Sequence, residues 1–266
     1  MSNLIFPSYA YIQVLNDNGI PPESKLVIEE LKKRNIKYKT FVLEDIVFGS
    51  PLNVKMGELV VGDYSCTKMA LECLKISFPP APDYPTCLKY LLNRKIWCTT
   101  LKELEKQLLL MGENYKNDIF IKPEKDIKAF SGLIVSLDWI SYLYELYDEN
   151  LSIICSEIIN IKSEYRVYVV NGKIRKISFY QGDANFGVDV DIIKKAVDEF
   201  YNSELKIEGF AIDFAVIEKC VDNNKEYLTT LIEVNYGFSI GAYDIDSVDY
   251  TDMLIECWKQ ITNYNI

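Results

Sequence analysis

The segment Gly209–Asp246, GFAIDFAVIEKCVDNNKEYLTTLIEVNYGFSIGAYDID, has the clearest hydrophobic patterning in the chain. Two alternating apolar runs flank a polar turn, Asp222-Asn223-Asn224-Lys225, which predicts an antiparallel hairpin. Side chains on a strand alternate between faces. Phe210, Ile212, Phe214 and Val216 therefore share one face of the first strand, with Asp213 on the other between Ala211 and Ala215. On the second strand Ile232 and Val234 oppose Glu233 and Asn235. Folding about the turn brings Asp213 near Glu233. Two carboxylates and an amide among small residues suit a hard divalent cation such as Mg2+. A solvated sheet face of ordinary polar residues is the competing account.

The rest of the pattern predicts an α/β unit over residues 1–95. Strands are expected at Tyr11–Leu15, Lys37–Leu43 and Glu58–Gly62, and helices at Glu23–Arg34, Ser65–Leu74 and Thr86–Asn93. Pro21-Pro22 starts the first helix, and Pro79, Pro80, Pro82 and Pro85 break the chain before the last. A second module is expected over 96–150. A short apolar stretch, Lys95–Cys98, precedes a helix through Leu110, capped by Thr99 or Thr100 with Glu103 as capping-box partner. The strand DIFIKP places Lys122 within an apolar run. A buried lysine needs an anionic partner, and a phosphate would serve. Lys128 and the loop Ala129-Phe130-Ser131-Gly132 follow, and such a loop can present backbone N–H groups to phosphate. A surface lysine beside a plain turn is the alternative. Leu137–Tyr147 reads as a helix with core aromatics.

A third module, 151–266, opens with SIICSEIINIKSEYRVYVVNGKIRKISFY, read as a hairpin about Asn171-Gly172. If Val170 pairs with Lys173, Arg166 faces Ile177 and Arg175 faces Tyr168, so both arginines share a face with Glu164. The chain has four arginines, and two on one hairpin face point to phosphate or carboxylate recognition. A cross-strand ion pair with Glu164 is the simpler reading. Helices are expected over Asp191–Asn202 and Ser247–Thr262, with the glycine-bearing loop Tyr236–Ile245 before the last.

Composition narrows the chemistry. The 266 residues are 49% hydrophobic and carry a net charge of −10, which argues against general nucleic-acid binding and would steer basic acceptors toward the protein. There is no histidine, which excludes Ser-His-Asp catalysis and His-ligated zinc. Seven cysteines without CxxC spacing, and an N-terminus without a charged n-region and apolar h-region, lead us to expect a cytoplasmic protein with reduced thiols. No apolar run reaches the roughly 18 residues of a membrane span. Neither GxGxxG nor GxxxxGK[ST] is present.

The order of motifs resembles the ATP-grasp superfamily. The marks are Lys122 in FIKP, the KAFSG loop, the ExR of SEYRVYV before an NGK turn, and IDFAV…LIEVN with its trailing glycine loop. Together with ELVVGDYS…PDYP…LNR, they are similar to a clade of that superfamily, found in phages and bacteria, marked by one arginine and two lysines. The resemblance implies an α+β fold with an α/β N-terminal unit (1–95), a small lobe (96–150) and a large lobe (151–266) carrying the metal site, the nucleotide lying between two α+β lobes. It implies ATP and Mg2+ as cofactors and an ATP-dependent carboxylate–amine ligase that works through an acyl phosphate and releases ADP. Its substrates would be small-molecule or peptide acids and amines. Carried onto matching positions, Lys122 and Lys128 contact the nucleotide, with Ser131 and Gly132 over its phosphates and Glu157, Ile158 and Ile159 as the adenine hinge. Arg166 holds the transferred phosphate, Arg175 or Lys176 adds a phosphate contact, and Asp213, Glu233 and Asn235 hold Mg2+. A catalytically silent nucleotide-binding module and a kinase-like phosphotransferase are the alternatives.

Overall fold

The computed structural model describes residues 6–17, 19–49, 52–111, 118–124, 129–222 and 224–263. Compactness divides the chain into two units rather than three. The first gathers Met1–Leu91, Lys162–Val216 and Leu228–Ile266, so the N-terminal segment packs with the C-terminal one. The second comprises Leu92–Ile161 and Ile217–Tyr227.

The N-terminal part of the first unit runs β1 (Tyr9–Gln13), α1 (Pro22–Lys33), β2 (Tyr38–Phe41), α2 (Leu43–Phe48), β3 (Glu58–Val61) and α3 (Tyr64–Cys73). Its three strands form a parallel sheet in the order β2-β1-β3. Pro22 opens α1, and Asp63 caps α3 by accepting from the Cys66 N–H at 3.0 Å. The helix expected over Thr86–Asn93 is a 3-10 turn, Thr86–Leu91, starting from a Leu88 N–H bond to the Pro85 carbonyl. The strand expected over Lys37–Leu43 ends at Phe41, and Leu43 already belongs to α2.

In the second unit, β4 (Ile96–Thr100), α4 (Leu101–Met111), β5 (Ile119–Pro123), β6 (Leu133–Val135), α5 (Leu137–Leu146) and β7 (Ser152–Glu157) build a sheet ordered β4-β7-β5-β6, antiparallel throughout. Leu101, Leu104, Leu108, Ile121, Ile140 and Ile153 lie in its core. Thr100 caps α4 through the Glu103 N–H, while the Glu103 side chain turns to Lys106 instead of closing a capping box.

The remaining elements are β8 (Asn160–Val170), β9 (Lys173–Gly182), α6 (Val190–Tyr201), β10 (Gly209–Val221), β11 (Asn224–Tyr236) and α7 (Ser247–Ile261). They include a sheet ordered β11-β10-β8-β9. The stretch 151–180 is therefore not one hairpin. β7 pairs with β4 and β5, and the hairpin is β8–β9 alone. Its turn has φ of 50° at Asn171 and 72° at Gly172, the two left-handed residues of a type I′ turn. The register beyond the turn corrects the expected one. Val170 pairs with Lys173 and Val169 with Ile174, but a bulge then slips Arg175 out of step. Tyr168 consequently faces Lys176, and Arg166 faces Ser178, not Ile177. One inserted residue reverses the alternation, so Arg166 and Arg175 do not form the shared arginine face.

α7 packs on α1 within the first unit. Buried Glu30 receives Arg34 at 2.8 Å and Lys33 at 3.2 Å, Arg34 reaches Asp252 at 2.8 Å, and the Trp258 indole donates to the Glu58 carbonyl at 2.7 Å.

Candidate functional site

β10 is buried on both faces from Gly209 to Ile217. Two glycines let it lie this deep. A Cβ on Gly209 would sit 2.0 Å from the Met253 carbonyl, and one on Gly237 would sit 2.7 Å from the Gly209 carbonyl. Backbone thus meets backbone where β10, the end of β11 and α7 converge. Four residues along, Asp213 is 2% exposed, which rules out the solvated-face account for this carboxylate.

A buried carboxylate must be paired. Arg166 on β8 does this with a two-pronged fork, Nε donating to Asp213 Oδ1 at 2.8 Å and Nη2 to Oδ2 at 2.7 Å. From β11, the Asn235 amide donates to Glu233 Oε1 at 3.1 Å and to Asp213 Oδ2 at 3.5 Å. Burial pushes the Asp213 carboxyl above the usual range, the Arg166 fork opposes this, and the Glu233 and Glu164 carboxylates add to the rise. Arg166, although buried, is held firmly cationic by Asp213. Glu164 and Glu233 thus add negative charge around Asp213, while the guanidinium fork itself is made to Asp213.

Tyrosines complete the surroundings. Tyr180 donates to Glu164 Oε2 at 2.6 Å, and Tyr168 donates to the Gly241 carbonyl at 2.7 Å. The Tyr180 and Tyr243 rings stack 4.7 Å apart and within 3° of parallel, with the Arg166 guanidinium 5.8 and 5.3 Å from their centroids. Burial, the Asp213 charge and the bond to Glu164 push the Tyr180 hydroxyl far above its ordinary value, so it stays a donor. Tyr168, Tyr180 and Tyr243 are not apparent as site residues in the sequence. Alternation around Arg166 points to Tyr168, but Tyr180 and Tyr243 depend on a strand bulge and a distant loop.

Arg175 and Lys176 are each engaged by an aspartate, Lys176 on the β8–β9 face that carries Arg166. Lys176 pairs with Asp244 at 2.8 Å, and Arg175 approaches Asp249 at 3.6 Å. Lys176 and then Ser178 hold the Asp244 carboxyl below its ordinary range.

The other expected residues belong to the second unit. Lys122 lies on β5 on the half-exposed face it shares with Phe120, while Ile119, Ile121 and Pro123 are buried. It is therefore not the buried lysine expected from the apolar run, because the alternation turns it away from the core. Gly132 is exposed, and a Cβ there would lie 2.5 Å from the Phe120 ring, so the loop rests on the same face of β5 as Lys122. Ser131 is exposed beside it. Lys128 lies outside the described residues. Glu157 is exposed and accepts from the Lys95 N–H at 2.8 Å; Ile158 is 47% exposed and Ile159 half-buried.

The Asp213 and Glu233 carboxylate oxygens are of the type that suits a hard cation, but Asn235 turns its amide nitrogen toward both of them, so its oxygen joins the set only with the amide reversed. Among the described residues no group of three or more His, Cys, Asp or Glu converges as a ready-made metal cage. The third ligand in the expected set is an amide, and both Asp213 oxygens bond Arg166. Asp213 Oδ2 accepts from both Arg166 and Asn235, whereas Oδ1 accepts from Arg166 Nε and keeps a second lone pair for a further partner.

A family model described as an ATP-grasp domain, the second family of the clade marked by one arginine and two lysines, matches residues 91–253, the span that holds every expected site residue. Among solved structures, a RimK-domain ATP-grasp protein from Sphaerobacter thermophilus aligns at 10% identity over 92% of this chain and 99% of its own, with a TM-score of 0.58. D-alanine–D-alanine ligase from Bacillus anthracis aligns at 15% identity over 96% of this chain and 98% of its own, TM-score 0.52. Macrocyclase MdnC bound with precursor peptide MdnA, from Microcystis aeruginosa, aligns at 13% identity over 93% and 99%, TM-score 0.53. At these identities the likeness is one of fold. No curated protein matches the chain in sequence.

Proposed function

Because the chain belongs to the ATP-grasp superfamily, in the second family of the one-arginine, two-lysine clade, we propose that it is an ATP- and Mg2+-dependent carboxylate–amine ligase. The observation that carries the reading is the buried Arg166–Asp213 fork beside Glu233 and Asn235. It is a preorganised charge cluster of the kind phosphoryl transfer uses. The solved ligases of the same fold, among them a D-alanine–D-alanine ligase and a macrocyclase, make small-molecule and peptide acids and amines the substrate classes to examine first.

On this proposal Lys122 and Lys128 bind the nucleotide's phosphates, Ser131 and Gly132 offer backbone N–H groups, and Glu157 to Ile159 receive the adenine. Asp213, Glu233 and Asn235 hold Mg2+, which when bound neutralises phosphate oxygens. Arg166 orients the transferred phosphoryl group with the guanidinium edge left free by Asp213. The stacked Tyr180 and Tyr243 rings keep that guanidinium in place and shield it from water. The substrate carboxylate attacks the γ-phosphorus and releases ADP; the amine then attacks the acyl carbon and phosphate leaves. Arg175 and Lys176 add phosphate contacts only by exchanging their present aspartate partners.

The test is thermal unfolding with and without Mg-ATP, for the wild type and Glu233→Gln. Nucleotide at about 100 times its Kd adds roughly 2.7 kcal/mol. A magnesium-dependent rise in midpoint that shrinks in the variant supports the assignment. Acid–amine pairs are then screened for ADP release. AMP and pyrophosphate as products would overturn the acyl-phosphate route. Absence of any nucleotide-dependent shift would remove the ligase reading and leave an interaction module.

A further inference from the structure

A cavity lies in the first unit on the sheet β2-β1-β3 and shares no residue with the Arg166 cluster. It encloses about 390 Å³, within the range of small-molecule sites. Side-chain alternation on β1 explains its position. Ala10 and Ile12 are fully buried, whereas Tyr9 and Tyr11 are half-buried and face the cavity. Their rings meet edge to face, with centroids 5.3 Å apart. The Tyr11 hydroxyl donates to the Asn53 carbonyl at 3.4 Å, so the segment before β3 walls one side.

Charge is distributed unevenly over this aromatic floor. In the parallel register Tyr11 neighbours Lys39 on β2, and Tyr9 neighbours Glu58 on β3. Residues side by side in a sheet project to the same face, and all four line the cavity. Lys39 and Glu58 stand on strands two spacings apart, about 10 Å, with the tyrosines between them. Asp45 from α2 adds a second carboxylate to the lining. Among the described residues Lys39 makes no ion pair with either acid. Glu58 gives one oxygen to the Lys55 N–H at 2.8 Å, leaving the other available. A cation and an anion thus face one cavity from opposite sides of an aromatic floor, unpaired with each other.

We propose that this cavity binds a free amino acid or dipeptide as a zwitterion. The carboxylate lies toward Lys39, the ammonium toward Glu58 and Asp45, and the flat or apolar side chain on Tyr9 and Tyr11. Such a ligand satisfies both charges at once, whereas a simple anion or cation leaves one end unmatched. The opposite end of β3 is engaged differently. Ser239, in the loop after β11, donates to the Gly62 carbonyl at 3.0 Å and bonds Thr67 at 3.1 Å. The Tyr9–Glu58 cavity is thus separate from the loop that reaches Arg166.

The proposal is tested by calorimetric titration of the nucleotide-free protein with four probes: L-tyrosine, glycyl-L-tyrosine, tyrosinamide and N-acetyltyrosine. At least one zwitterion is expected to bind tenfold or more tightly than the amide, which lacks the anion, and the acetyl compound, which lacks the cation. Lys39→Met is expected to erase the preference over tyrosinamide. Glu58→Gln, which keeps an oxygen for the Lys55 N–H, is expected to erase the preference over N-acetyltyrosine. Equal binding of all four probes by the wild type, or binding of none at millimolar concentration, overturns the proposal. So does a preference that survives both variants but disappears in Glu233→Gln, which would assign the probe to the Arg166 cluster. The ligase reading is judged separately, by its response to Mg-ATP.

Discussion

Arg166 and Asp213 form a fork in which two donors meet two acceptors, with both side chains largely buried. Removing one partner leaves the other charged and unpaired. Asp213→Ala is expected to destabilise the fold by roughly 3–5 kcal/mol, read from urea unfolding, because a buried guanidinium loses its counter-charge. Arg166→Lys keeps the charge and loses the fork. It is expected to lower nucleotide-dependent turnover about 100-fold or more, on the scale of losing one preorganised donor at a site of developing charge. Unchanged turnover in Arg166→Lys would mean that the arginine serves the fold alone. Asp213 was legible from alternation as a carboxylate among small residues. Its partner was not, because the two residues lie 47 positions apart.

At the scale of elements, turn chemistry and glycines decide the geometry. Gly172 holds φ of 72°, and a Cβ there would lie 2.5 Å from the Tyr201 ring. Gly172→Ala is expected to cost about 1–2 kcal/mol from the left-handed conformation alone, with more from the clash. Gly209→Ala should be worse, since its Cβ would meet the Met253 carbonyl rather than a side chain that can move. Urea midpoints of the two variants, compared with the wild type, check that order. The turn itself was legible in Asn171-Gly172, and so were α6 and α7. The bulge at Arg175 was not. A bulge reflects how a strand accommodates its neighbours and the overall twist, so local sequence does not mark it.

For the whole molecule, acid lability follows from carboxylates that join elements of the first unit. Burial raises the pKa of Glu30, but hydrogen bonds from Arg34 and Lys33 bring it below the ordinary range. Burial likewise raises the pKa of Asp63, but hydrogen bonds from the Cys66 N–H and the Gln13 amide outweigh it and hold the carboxyl below the ordinary range. Both groups bind fewer protons folded than unfolded. Their stabilisation is present above the unfolded carboxylate pKa and is lost as pH falls through the lower folded values. Urea midpoints of the wild type should therefore fall between about pH 6 and 3, the window of ordinary and depressed carboxylates. The double variant Glu30→Gln, Asp63→Asn should be less stable at pH 6 and show a shallower decline. Equal slopes would mean that other groups govern the acid transition.

Alternation, helical spacing and turn chemistry were enough to specify most of the strands and helices and the position of the type I′ turn. They also specified the shared face of Asp213, Glu233 and Asn235, and the order of motifs along the chain carried the resemblance to ATP-grasp proteins. These are local or periodic properties, legible within a few residues. Folding settled what they left open: Lys122 is half-exposed, Arg166 pairs with Asp213, and Arg175 and Lys176 turn to Asp249 and Asp244. It also stacked Tyr243 on Tyr180 beside Arg166 and left Lys39 and Glu58 on opposite sides of two tyrosines. Each of these outcomes is a choice of partner between segments far apart in the chain. Burial and strand register settle such choices, and neither is encoded within a few residues of the side chain concerned.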